Sequence, residues 1–129
     1  MAFVFLLGRC APGGRQAGGG LPFESIHFGK SQAYTNEHET YLLAGNGQLY
    51  KVIEGEFTET GKLSRSDMRR IGRELKELDI GSLDLDQVGT ITYFVDVQTG
   101  GSRESISWTP TTLHRGVNEF YELLMSKID

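Results

Sequence analysis

Between residues 91 and 108, apolar and polar side chains alternate on either side of Gly100-Gly101, which predicts a β-hairpin closed by a two-residue turn. Such a turn sets the pairing by counting outward. Thr99 then faces Ser102, and Val97/Glu104, Val95/Ile106 and Tyr93/Trp108 line up on one face. Gln98/Arg103, Asp96/Ser105 and Phe94/Ser107 share the other, so one side is apolar and the other mostly polar. A second hairpin is predicted around Asn46-Gly47, the strongest short hairpin signal. With a two-residue turn there, Leu43 faces Tyr50 and Tyr41 faces Val52 on one side, whereas Ala44/Leu49, Leu42/Lys51 and Thr40/Ile53 share the other. Both faces of this hairpin then carry apolar groups.

Phe23, Ile26 and Phe28 suggest a first strand with an irregularity, and His27 should point to the sheet face opposite its neighbours. Residues 54–63 read as a polar connection. Ser64 and Asp67 fit a capping box that starts a helix, with the Asp67 carboxylate near the positive end of its dipole. In that helix Met68, Ile71, Leu75 and Leu78 form an apolar stripe, and Arg65, Arg69, Arg73 and Lys76 form a separate stripe facing water. Gly81 ends the region, and residues 82–89 form a loop bearing Asp84 and Asp86. Pro110 stops the last strand, after which Thr111 or Thr112 caps a final helix whose apolar face is Leu113, Val117, Phe120, Leu124 and Ile128. The order β-β-β-α-β-β-α predicts an α+β domain: an antiparallel sheet of about five strands with both helices packed on one sheet face.

Composition narrows this picture. With 129 residues, 38% of them hydrophobic, the chain fits one domain with an ordinary core, placed at residues 21–129. Its formal charge of −4 argues against nucleic acid as a partner, and the folded part alone has 11 basic against 17 acidic residues, or −6. Residues 1–20 differ in kind. A short apolar run over residues 1–7 sits at the low edge of a signal-peptide core, and a Gly-rich stretch follows. Leu7-Gly8-Arg9-Cys10 looks like a bacterial lipobox, in which the cysteine takes the lipid, although Arg9 stands where that motif wants Gly, Ala or Ser. Cys10 is the candidate lipid-attachment residue, and a membrane enters only through that anchor. The alternative is a disordered tail with an inert thiol.

Candidate chemistry is sparse. No Gly-x-Ser-x-Gly elbow occurs, and Ser105 and Ser107 lie in mid-strand. The glycines lack a dinucleotide fingerprint, Asp84 and Asp86 lack the ligand series of a calcium loop, and no Cys/His spacing suggests zinc, so neither a cofactor nor a metal is expected. His38 and Glu39 are neighbours on an extended segment and should point alternately. His114 lies at the margin of the last helix's apolar arc. The basic stripe is interleaved along the sequence with Asp67, Glu74 and Glu77, which favours a solvated helix face over a site for an anionic partner. The sheet face opposite the Tyr93/Trp108 ladder carries Phe94, and Leu42, Leu49 and Ile53 of the first hairpin are expected to join it. This patch is the candidate ligand-binding surface, unless the N-terminal strand region or a homodimer partner covers it.

The apolar leader ending in Cys10, the Thr40-Tyr-Leu-Leu and Gly47-Gln-Leu-Tyr-Lys hairpin, and the Ile106-Ser-Trp-Thr strand followed by Phe120-Tyr-Glu-Leu-Leu resemble small envelope proteins of Gram-negative bacteria, many of them lipoproteins by prediction. The resemblance implies an exported α+β domain and brings no catalytic residues. The expectation is a non-enzymatic, periplasmic or surface-tethered binding module for a protein or small ligand, inhibitor-like in one version. The alternatives are a small enzyme using His38/Glu39 or Asp84/Asp86, and a cytosolic homodimer.

Overall fold

The computed structural model describes residues 23–34 and 37–128; the leader run, the Gly-rich stretch and Cys10 lie outside the described residues. Strands β1 (Ser25–Gln32), β2 (Glu37–Ala44), β3 (Gln48–Ile53) and β4 (Glu56–Lys62) precede helix α1 (Arg65–Leu78), and β5 (Ile91–Thr99) and β6 (Ser102–Trp108) precede helix α2 (Arg115–Met125). The domain is α+β, with a single six-stranded antiparallel sheet in the order β4-β3-β2-β1-β5-β6.

The Gly100-Gly101 hairpin has the register that counting outward predicts, from Thr99↔Ser102 to Tyr93↔Trp108. Only the first glycine takes positive φ, at +48°, as a turn with glycine in its first central position requires. The first hairpin does not follow the count. Its pairs are Leu43↔Leu49, Leu42↔Tyr50 and Thr40↔Val52, one residue away from the expected register. The loop has three residues: Gly47 N–H donates to the Ala44 carbonyl (2.9 Å) and Gly47 sits at φ +96° as a bulge residue. The Asn46 carboxamide oxygen accepts from the Gln48 N–H (3.0 Å) and holds that turn. Because side chains alternate, the one-residue slip sends Leu49 to the face of Leu43 and leaves Tyr50 and Val52 on the other.

The supposed connection after Ile53 is a sixth strand. Glu54 (φ +52°) and Gly55 (φ +82°) form a two-residue turn, and β4 returns beside β3 with Tyr50↔Glu59 and Val52↔Phe57. The segment is polar because it is an exposed edge, where charged residues such as Glu56, Glu59 and Lys62 discourage pairing with another chain. A bulge at Thr60 interrupts the ladder, and its hydroxyl donates to the Leu49 carbonyl (3.3 Å).

Strand β1 joins the two hairpins, pairing over its whole length with β2 on one side and β5 on the other. Its Ile26 and Phe28 are wholly buried between Leu43 and Tyr41 on one flank and Val97 and Val95 on the other. Both helices contribute to the same cluster, through Met68, Ile71 and Leu75 of α1 and Val117, Phe120, Leu123 and Leu124 of α2. Trp108, 1% exposed, stacks on Tyr93 and meets Tyr121 edge-on. Each large apolar side chain buried this way contributes roughly 1.5–3 kcal/mol.

Helix α1 starts as its capping box predicts, with Ser64 Oγ accepting from the Asp67 N–H (3.1 Å). The Asp67 carboxylate also receives Lys127 Nζ (3.0 Å), tying the start of α1 to the chain beyond α2. The cap of α2 differs from expectation. Thr109 to Thr112 close a turn, and His114 caps the helix, its Nδ1 accepting from the Val117 N–H (3.2 Å). Leu113 is therefore outside the helix and 95% exposed.

Gly29 lies on β1 between Thr40 and Phe94, and a Cβ there would come within 2.1 Å of the Glu39 carbonyl oxygen. Since the obstacle is paired backbone, Gly29→Ala should lower stability by roughly 3 kcal/mol or more, measured by urea unfolding.

Candidate functional site

The helices cover one face of the sheet. Alternation leaves the opposite face with His27 and Gly29 of β1, Thr40 and Leu42 of β2, Tyr50 and Val52 of β3, Phe57 of β4, and Phe94, Asp96 and Ser105 of the second hairpin. Phe94, Leu42, Tyr50 and Val52 are half-buried, and Phe57 is 60% exposed.

Two open hollows meet at Phe94. One, about 460 Å³, lies between the 83–86 segment and β5 and β6, with Asp84, Asp86, Ser105 and Ser107 at its polar lining. The segment is held there because the Ser107 N–H donates to the Leu85 carbonyl and the Gln87 N–H to the Ser107 carbonyl (3.1 Å each). The second, about 610 Å³, is bounded by Ser31, His38, Thr40, Val52 and the Glu54-Gly55 turn. Phe94 lines both. Gly29, its cross-strand neighbour, has no side chain to fill the space beside it.

A polar network spans β5 and the edge strand β6 on this face. The Asp96 carboxylate accepts from Arg103 Nε (2.8 and 2.9 Å to its two oxygens), from Arg103 Nη2, and from Ser105 Oγ (2.9 Å). The guanidinium, assisted by Ser105, holds this carboxyl below its ordinary range against the opposing effect of partial burial. His27 lies across from Asp96 and packs edge-on against Phe94, with ring centroids 5.2 Å apart. Its buried Nε2 has no hydrogen-bond partner. Burial lowers its pKa, with Asp96 opposing the shift and Arg103 adding to it. Serine, carboxylate and imidazole thus come together in the wrong order for acyl transfer: Ser105 donates to the carboxylate, while the imidazole faces a phenyl ring.

Of the residues expected to form a binding surface, Phe94 and Leu42 share this face. Leu49 does not: the shifted register puts it in the helix-side core, 3% exposed. Ile53 also belongs by alternation to the helix side, but at the end of β3 it is 53% exposed and reaches the rim of the larger hollow. His38 lines that hollow and Asp84 and Asp86 the other. Glu39 instead accepts from the Tyr41 hydroxyl (3.4 Å), a helix-side residue. The N-terminal strand region, considered as a cover for this face, lies within the sheet as β1. Tyr50, Val52 and Phe57 were missed because their place on this face depends on the three-residue loop and on β4; the available signal was the strand preference of Phe57, Thr58 and Thr60. In comparisons with known proteins, no family model matches the chain and no curated protein matches it.

The histidine has a measurable consequence. A group with a lowered folded pKa binds more protons when unfolded, so its stabilising effect is complete above the unfolded value near 6.5 and falls as pH drops through it. The urea midpoint should therefore decrease between pH 7 and pH 5. His27→Leu, which also removes the unpartnered nitrogen, should flatten that decrease; an unchanged pH profile would contradict this assignment.

Proposed function

We propose that the domain is a non-enzymatic binding module that engages a protein partner through the uncovered sheet face, with Phe94 as its centre. The observation that carries this reading is the position of Phe94 as the common wall of two open hollows, on the same face as the half-buried Tyr50 and Val52 and the exposed Phe57. Half-buried aromatic groups flanked by carboxylates and hydroxyls match the centre and rim of a protein interface. Shallow, open hollows suit a protein surface better than a small molecule, whose sites bury most of the ligand. An inhibitor-like role is one form of this activity, and a second copy of the chain is one form of the partner.

An exported or lipid-tethered location in the bacterial envelope belongs to the same proposal. Its support is the leader-like run, Cys10, and the sequence resemblance to Gram-negative envelope proteins. A Gly-rich tether after an acylated Cys10 would let the domain meet partners near a membrane without any spanning helix. No helix among the described residues is long and apolar enough to cross a bilayer.

Phe94→Ser should reduce retention of a partner from an envelope fraction by about tenfold, as expected for loss of a central aromatic anchor, while far-UV circular dichroism shows an intact fold. Leu113→Ser, an exposed position before α2 that lines neither hollow, should leave retention unchanged. Equal retention by the Phe94 variant would remove this site. For the location, mass spectrometry of the native protein should find an N-terminus at diacylated Cys10; an intact chain beginning at Met1 with a free thiol would refute the tether.

A further inference from the structure

We infer that the outer face of α1 is a docking surface for an anionic lipid bilayer, contacted through Arg65, Arg69, Arg73 and Lys76. At about 100° per residue, these four side chains fall within an arc of roughly 80°. The acidic residues that interleave with them along the sequence fall elsewhere: Glu77, Glu74 and Asp67 lie at about 120–200° on the same wheel. Glu74 pairs with Arg70 (2.9 Å) and Asp67 with Lys127 (3.0 Å). All four stripe residues are exposed, and among the described residues none is in an ion pair, whereas Arg70, Arg103, Arg115 and Lys127 each are.

The stripe runs about 16 Å along the helix, long enough to meet several headgroups and too long for one phosphate. Its background selects a flat partner. Residues 21–129 carry −6, and without these four cations they would carry −10, so an anionic partner that wrapped the domain would be repelled. A bilayer meets one side only. The apolar side of α1 is committed to the core through Met68, Ile71 and Leu75, so the contact is electrostatic and peripheral.

The placement of α1 favours the same occupant. At its start the Leu63 N–H donates to the Gly47 carbonyl (2.8 Å), and near its end Lys76 and Asp79 line a hollow together with Val97, Thr99 and Glu104. That is the sheet end where the Glu24 N–H donates to the Gln98 carbonyl (2.7 Å). The helix therefore crosses the end of the sheet at which β1 begins. The lipid contact does not depend on acylation of Cys10 or on the Phe94 face.

The test is co-sedimentation of the full chain with phosphatidylglycerol/phosphatidylcholine vesicles. It should bind at low ionic strength and release as salt is raised. Each basic side chain near an anionic bilayer is worth roughly fivefold in partitioning. The triple variant Arg65→Gln, Arg69→Gln and Arg73→Gln should then partition about a hundredfold more weakly, with an unchanged thermal melt. Equal binding by that variant, equal binding to pure phosphatidylcholine, or no binding at low salt would each overturn the inference. So would selective release by inorganic phosphate against chloride of equal ionic strength, which indicates a discrete phosphate site. Binding to polyglutamate but not to vesicles would replace the lipid with an acidic polypeptide.

Discussion

The double ladder of β1 is the constraint on which the rest of the domain depends. Two hairpin units, β2-β3-β4 and β5-β6, are far apart in sequence and meet only through this strand, paired residue for residue on both sides. Ile26 and Phe28 are consequently central to the core, and the apolar residues of both units come onto a single face for the helices to cover. The close approach at Gly29 follows from the same arrangement, because a side chain there would collide with the backbone of β2. One strand thus determines both how the core closes and where the opposite face is left hollow.

That opposite face combines features that a core would not tolerate. A carboxylate and a guanidinium pair between β5 and the edge strand β6, an imidazole nitrogen is buried without a partner, and aromatic rings remain partly in water. Buried polar atoms normally find partners, so the orphaned His27 nitrogen is a local cost that the sheet tolerates. The charge-assisted network of Asp96, Arg103 and Ser105 offsets part of it by fixing the strands beside Phe94. The two surfaces proposed to act are on opposite sides of the molecule. The Phe94 face uses shape and aromatic area, while the α1 stripe uses only charge, so a tethered domain could meet a membrane and a partner at once.

Much of the second hairpin was legible from its glycine pair, since a two-residue turn leaves one pairing consistent with the alternation. The first hairpin shows the limit of that inference. Asn46-Gly47 is equally compatible with a two-residue turn and with the last two positions of a three-residue bulged loop, and these differ by one residue of register. The error exchanged the faces of Leu49 and Val52, and with them half of the expected binding surface. β4 was missed for a different reason: an exposed edge strand buries little, so its sequence carries turn-like polarity instead of an apolar alternation. The cap of α2 was displaced because Thr109 to Thr112 close their own turn first.

What the amino-acid sequence determined by itself were features set by near neighbours along the chain: the α+β class, the register at Gly100-Gly101, the capping of α1 by Ser64, and the apolar and basic stripes of that helix. These follow from local hydrogen bonding and side-chain periodicity, which need no knowledge of distant residues. Only the tertiary structure decided the placement of β1 between the hairpins, the face on which Leu49 lies, and the meeting of two hollows at Phe94. The first and last of these depend on pairing between segments more than fifty residues apart, where many topologies satisfy the same local pattern and the burial of the whole core selects among them, whereas the face of Leu49 turns on two loop lengths that suit the same residues, between which its burial under the helices selects.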